Sequence, residues 1–258
     1  MSSPLAGKHA VVTGGGRGIG AAVAAALAEH GATLTLMGRD QARLDAQAHT
    51  LAARSEVRAV PVDVANAESV QAAFLRAEGD AGPVHILINN AGAAASVPFG
   101  RTDLALWTRM LEVNLTGTYL CCRHVMPGML ERGFGRVVNI ASTAGLTGYA
   151  YVTAYCAAKH GVVGLTRALA LETARSNVTV NAVCPGYTDT AMVAEAVANI
   201  VRRTGKTESE ARAALTARNP QQRMVRPEEV ANAVAWLCLP GAEAITGQAI
   251  AVAGGEIL

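Results

Sequence analysis

Short runs rich in Val, Ile, Leu and Thr recur along the chain at 9–13, 33–37, 57–62, 84–89, 136–141, 178–184 and 248–252. Most are continuously apolar rather than alternating, the pattern of a strand covered on both faces. Between them lie longer segments rich in Ala, Leu, Glu and Arg with helical spacing: 18–30, 41–54, 67–78, 104–132, 154–176 and 227–239. Strands alternating with helices predict a doubly wound α/β fold: a parallel sheet with helices on both faces and right-handed crossovers. No fixed-period repeat, low-complexity stretch or Pro/Gly/Ser-rich linker interrupts the rhythm, so a single domain over 1–258 is expected.

One segment departs from that rhythm. After the sixth apolar run, two stretches of helical composition, 190–203 and 208–218, follow without a strand between them. An insertion here, about 187–226, falls at the carboxyl end of the sheet, where open α/β sheets bind ligands. A substrate lid hinged near Gly186 and Gly205 is expected, with an ordinary pair of surface helices as the alternative.

Composition narrows the class. Hydrophobic residues are 51% and charged residues 16% of 258, which excludes a disordered or purely solvated chain. A net charge of +2 and 4% aromatics disfavour a nucleic-acid partner, which calls for many cations and stacking rings. No apolar run reaches the roughly 18 residues of a membrane span, and the first residues lack the pattern of a secretory leader. The five cysteines (Cys121, Cys122, Cys156, Cys184 and Cys238) form no CxxC pair and no zinc-like spacing with histidine. Reduced thiols, a cytoplasmic location and no metal are expected.

The chemistry begins at the first turn. Val11-Val12 leads into Thr13-Gly14-Gly15-Gly16-Arg17-Gly18-Ile19-Gly20 and then a helical segment. Glycine permits positive φ and close approach of a pyrophosphate, and the helix start offers unpaired N–H groups. At the end of the second run, the position where NAD binders commonly carry an acid is Gly38, followed by Arg39 and Asp40. Arg39 and Arg17 suit a 2′-phosphate, so NADP(H) is favoured with NAD(H) possible; alternatively Arg39 is solvated and Asp40 caps the next helix. Farther on stand Ser142 and Tyr155-Cys156-Ala157-Ala158-Lys159. On a helix Tyr155 and Lys159 share a face one turn apart. A neighbouring ammonium lowers a phenol's pKa from about 10, which suits Tyr155 to proton transfer coupled to hydride transfer.

These features together resemble the short-chain dehydrogenase/reductase family along nearly the whole chain. The matching residues are Thr13 to Gly20, Asp63-Val64, Asn89-Asn90-Ala91-Gly92, Asn114, Ser142, Tyr155, Lys159 and Pro185-Gly186-Tyr187-Thr188. The resemblance implies a Rossmann-like seven-stranded sheet, a nicotinamide cofactor and a homotetramer. It implies that Tyr155 is the acid/base, that Ser142 orients the reacting oxygen, and that Lys159 holds the nicotinamide ribose and depresses the tyrosine pKa. Asn114 would kink its helix and hold a water linking Lys159 to solvent. Gly14, Gly16, Arg17, Gly18, Ile19 and Gly20 would form the cofactor loop, with Asp63 and Val64 flanking the adenine. Asn90, Ala91 and Gly92 would line the cofactor cleft, and Pro185, Gly186 and Thr188 would border it, Thr188 touching the carboxamide.

The implied activity is interconversion of a ketone and a secondary alcohol. The segments 219–225, Thr246-Gly247-Gln248 and Ala253-Gly254-Gly255 resemble the 3-oxoacyl/3-hydroxyacyl thioester and polyketide ketoreductase branches. That points to an acyl-CoA or acyl-carrier thioester; Arg202, Arg203 and Lys206 form a basic patch that reads either as a solvated face or as one able to meet its phosphates. The alternatives are a cyclic-alcohol, cis-dihydrodiol or steroid-type dehydrogenase, and a cofactor-binding sensor without turnover. His85 and His124 read as packed histidines, His160 as structural or solvated, and Met126, Met129, Met192 and Met224 as core filling before pocket lining.

Overall fold

The computed structural model describes residues 3–257. Its seven strands are β1 (His9–Thr13), β2 (Thr33–Gly38), β3 (Val57–Pro61), β4 (Val84–Asn89), β5 (Gly135–Ile140), β6 (Val178–Pro185) and β7 (Ala249–Val252). All pair in parallel, in the order β3-β2-β1-β4-β5-β6-β7. The chain thus builds outward from β1 in one direction, then returns to β4 on its other side. Loops leaving β1 and β4 at their carboxyl ends diverge there and open a crevice, the switch point at which such sheets take ligands.

Helices α1 (Gly18–Glu29), α2 (Gln41–Leu51), α3 (Ala67–Ala81), α4 (Leu104–Leu111), α5 (Gly117–Arg132), α6 (Thr153–Thr173), α7 (Ala191–Thr204), α8 (Glu208–Thr216) and α9 (Pro227–Cys238) complete the fold. The two-residue repeat of the strands divides the core by face. Ala10, Val12, Leu34, Leu36, Ile86 and Ile88 pack under Leu27 of α1, Leu44 of α2 and Val234 of α9. Val11, Met37, Leu87, Val137 and Val180 face Phe74 of α3 and Val125 and Met129 of α5. Each such apolar side chain contributes about 1.5–3 kcal/mol on burial. No helix among the described residues is long and apolar enough to cross a membrane.

Two expectations gain detail. The helical segment over 104–132 is interrupted by a π-helical turn at Glu112–Thr116, where the resemblance implies that Asn114 kinks its helix. Asn114 is the reason: its fully buried side chain donates to the Met110 carbonyl (2.9 Å) and to the Ala93 carbonyl (2.9 Å), and accepts from Ala93 N (3.2 Å). A side chain that takes the carbonyl four residues back competes with the α-helical ladder. His124 is not purely packed: its ring lies 4.9 Å from Phe74, with Nε2 3.2 Å from a Glu78 carboxylate oxygen. The methionines divide as well. Met129 is core, Met126 packs against it, Met192 is exposed, and Met224 lies beside Arg212.

Candidate active site

The glycine loop after β1 is built by exclusion of side chains. A Cβ on Gly20 would overlap the Gly14 carbonyl oxygen, and one on Gly14, at φ +65°, would fall 2.7 Å from Asn90 Nδ2. Asn90 fastens the loop by donating from Nδ2 to the carbonyls of Thr13 (3.0 Å) and Gly14 (3.1 Å). The backbone N–H groups of Asn90 and Ala91 both donate to Thr13 Oγ1 at 3.0 Å. Thr13 therefore couples the β1 and β4 loops, a joining role that reading the sequence left unassigned.

Arg17 precedes α1 in extended backbone and gives no side-chain cap, whereas Asp40, Asn66, Asp103 and Thr207 cap α2, α3, α4 and α8. The first N–H groups of α1 are thus left without a side-chain cap, and Ile19 packs against the core. Uncapped N–H groups at a helix start suit the charge of a dinucleotide's pyrophosphate.

The residues around it follow. Arg17 and Arg39 are exposed and form no ion pair among the described residues. Asp40 is committed elsewhere, accepting from Arg43 N (3.2 Å) and pairing with Arg43 Nε (2.8 Å). Asp63 is exposed and accepts from Ala65 N (3.0 Å), while buried Val64 packs on Gly117, where a Cβ would lie 3.0 Å away. Pro185 ends β6; Thr188 is buried, with its hydroxyl donating to the Gly186 carbonyl at 3.0 Å.

The second half of the site lies beyond β5. Ser142 is two residues past the strand and opens a single 3₁₀ turn, Thr143–Gly145, accepting from Ala144 N (3.1 Å). Helix α6 passes so close that a Cβ on Gly145 would meet the Lys159 carbonyl oxygen at 2.7 Å. This sets Tyr155 and Lys159, one turn apart, beside Ser142, with Lys159 Nζ 5.7 Å from the Tyr155 ring centre. Lys159 is 4% exposed and donates to the Ile140 carbonyl at 2.8 Å. Gly92 brings Asn114 into the same group: a Cβ there would lie 2.8 Å from Asn114 Oδ1 and 3.8 Å from Lys159 Nζ.

Electrostatics correct the expectation of a depressed tyrosine pKa. Burial pushes the Tyr155 phenol up to about 12, with the Ser142 hydroxyl pulling the other way. Burial also lowers Lys159 to about 8, opposed by Cys184. With Nζ bonded to the Ile140 carbonyl, desolvation outweighs any pull of the ammonium on the phenol. Tyr155 thus holds a proton firmly while Lys159 holds its charge loosely. His160 is exposed and turns its ring to the Cys156 carbonyl (2.9 Å), outside the group.

The family model for short chain dehydrogenase matches residues 8–200. This chain belongs to that family. It is an oxidoreductase with a nicotinamide cofactor site. It is 39% identical over 256 residues to the cis-4-hydroxycyclohexanecarboxylate dehydrogenase of Sinomonas cyclohexanicum, covering 99% of this chain and 98% of the relative. It is 38% identical over 257 residues to the 3-oxoacyl-[acyl-carrier-protein] reductase of Aquifex aeolicus, covering 99% of each. A crystal structure of an actinorhodin polyketide ketoreductase variant with NADPH superposes with a TM-score of 0.94, at 39% identity over 99% of both chains. The dehydrogenase thus has relatives of nearly equal identity whose named substrates differ.

Proposed function

We propose that this dehydrogenase uses NADP(H) to interconvert a 3-oxoacyl and a 3-hydroxyacyl thioester. The observation that carries the reading is the convergence of Ser142, Tyr155 and Lys159 beside a glycine cradle at the switch point of the sheet. The nicotinamide supplies or accepts the hydride. In the reducing direction Tyr155 gives its hydroxyl proton to the substrate oxygen, and Ser142 hydrogen-bonds the same oxygen. Lys159 stabilises the phenolate left behind. Asn114 holds the Ala93 backbone against the π turn, which keeps Gly92 and Lys159 in register.

The preference for NADP(H) is supported by Arg17 and Arg39, exposed and without carboxylate partners among the described residues, and by the commitment of Asp40 to its helix cap and Arg43. A lid over the pocket is supported by α7 and α8, joined through Gly205 at φ +69°. Gly186 is a poor hinge, being tied to β7 through the Val252 carbonyl at 3.1 Å. The thioester reading draws on the acyl-carrier reductase and polyketide ketoreductase relatives. A cyclic alcohol is the second reading, favoured by the cyclohexanecarboxylate dehydrogenase relative. Five free cysteines fit a reducing cytoplasm. Leu104, Tyr119 and Leu171 stand exposed on α4, α5 and α6, and Trp236 on α9, which supports a homotetramer buried through these faces. Sedimentation at micromolar concentration should give four times the chain mass; a monomer overturns the assembly.

The activity test mixes the protein with NADPH or NADH and either acetoacetyl-CoA or 4-oxocyclohexanecarboxylate. Loss of the reduced-nicotinamide absorbance with NADPH and the thioester is expected. Faster loss with the cyclic ketone selects the second reading. Cofactor binding without loss on any carbonyl compound makes the protein a sensor.

A further inference from the structure

Tyr149, beside the active site, is used by no step above. Its hydroxyl donates to a carboxylate oxygen of Glu256, 107 residues away, and lies 2.8 Å from the Thr143 hydroxyl, from which it accepts. Its ring is held from two further sides. Tyr187 meets it edge-on at 6.4 Å, and the Arg218 guanidinium lies 4.8 Å from its centre while donating to the Gly148 carbonyl at 3.4 Å. Three segments therefore meet at one phenol: the turn that follows Ser142, the end of β6 and the root of the lid.

Glu256 is placed there by a turn that only glycine permits. Gly254 and Gly255 have φ of +62° and +91°; a Cβ on the first would overlap the Asn219 side chain, and one on the second would lie 3.3 Å from the Pro220 ring. The second carboxylate oxygen of Glu256 lies over Gly186, where a Cβ would come within 2.9 Å. Asn219 in turn ties the lid root together, donating to the Arg223 carbonyl (2.9 Å) and accepting from Gln221 N (2.8 Å). A group braced on all three segments fixes their positions relative to one another, next to Ser142.

We propose that Glu256 is a positioning residue, which clamps the 143–149 wall and the lid root through Tyr149 and so sets affinity for the carbonyl substrate without joining the proton transfer. The kinetic part of this inference rests on the ketone-reducing reading above; the clamp does not. The test combines steady-state kinetics and NADPH binding with hydrogen–deuterium exchange on the full chain. Glu256→Ala and Tyr149→Phe should each raise KM for the ketone about tenfold, the loss of one hydrogen bond to a charged group. In both, kcat stays within about twofold. NADPH affinity should not move, exchange across 143–151 should speed up, and exchange across 13–20 should stay as in the parent. Glu256→Gln keeps an accepting oxygen and should restore KM and protection. The double variant should be no worse than either single one. Parent-like KM and exchange in Glu256→Ala overturn the proposal, as does a Glu256→Gln variant as impaired as Glu256→Ala. Should no ketone be turned over by the parent protein, the functional reading fails, and the exchange data alone decide the clamp.

Discussion

The two ends of the parallel sheet hold the same kinds of side chain and put them to opposite uses. At the carboxyl end, Lys159 and Tyr155 are desolvated and shifted, and they stand beside the switch point of the sheet. At the amino end, His9 is 2% exposed and hydrogen-bonded on both ring nitrogens, to the Gly82 carbonyl and the Thr35 hydroxyl, each at 2.8 Å. Arg136 is 2% exposed there too, donating to the carbonyls of Gly135 (2.9 Å) and Asn177 (3.0 Å) and lying over Phe134. His85 is lowered to about 4 by burial and by Lys8 and Arg132. A perturbed titratable group is therefore no signature of a site by itself. What separates the ends is position in the fold: Tyr155 and Lys159 stand at the switch point of the sheet, near the uncapped start of α1, whereas His9 and Arg136 are hydrogen-bonded into the opposite end.

The strongest test of that contrast removes a single oxygen. Tyr155→Phe should lower kcat for carbonyl reduction by about 10²–10⁴-fold, the span of a general acid, with NADPH affinity near the parent value. Stopped-flow turnover and fluorescence titration of NADPH measure the two quantities. Retention of most turnover would place the proton donor elsewhere and dissolve the distinction between the ends. The pH profile sharpens it. Lys159 loses its charge as pH rises through about 8, so reduction should be flat below that value and decline above it.

The cofactor end gives a smaller effect. Arg39→Asp replaces an exposed cation just after β2 with an anion and should shift the NADPH-to-NADH ratio of kcat/KM about ten- to hundredfold toward NADH. An unchanged ratio would mean that Arg39 is a solvated side chain like those on any outer face.

Much of this contrast was legible in the chain. Continuous apolar runs between helical segments gave the sheet, because a strand buried on both faces has no polar side to display. Gly14 to Gly20 and the Tyr155–Lys159 interval are local spacings, and local geometry follows from them directly. Other features lie between residues far apart in sequence. Asn114 joins its π turn to Ala93 across 21 positions, and Glu256 meets Tyr149 across 107; neither contact shows a periodic trace. The four-residue spacing of Tyr155 and Lys159 reveals the ammonium but not the burial that raises the phenol.

The smallest effect probes the amino end alone. His9 and His85 are both held below the ordinary histidine pKa by burial, so the unfolded chain takes up protons first as the pH falls. Their contribution is fully present above about 6.5 and is lost as the pH falls toward the folded value, about 4 for His85. His85→Asn removes one titrating ring while keeping an acceptor for His9 N, which His85 Nδ1 meets at 3.2 Å. Solvent screening at a partly exposed ring keeps the gain modest: the drop in melting temperature between pH 7.5 and 5 should shrink by about 1–2 °C. Turnover at pH 7 should match the parent, because the ring lies at the opposite end of the sheet from Tyr155. A variant that melts in parallel with the parent at both pH values would mean that His85 is as free to charge when folded as when unfolded. A variant that loses activity would mean that the two ends are coupled through the sheet, and the division of labour between them would fail.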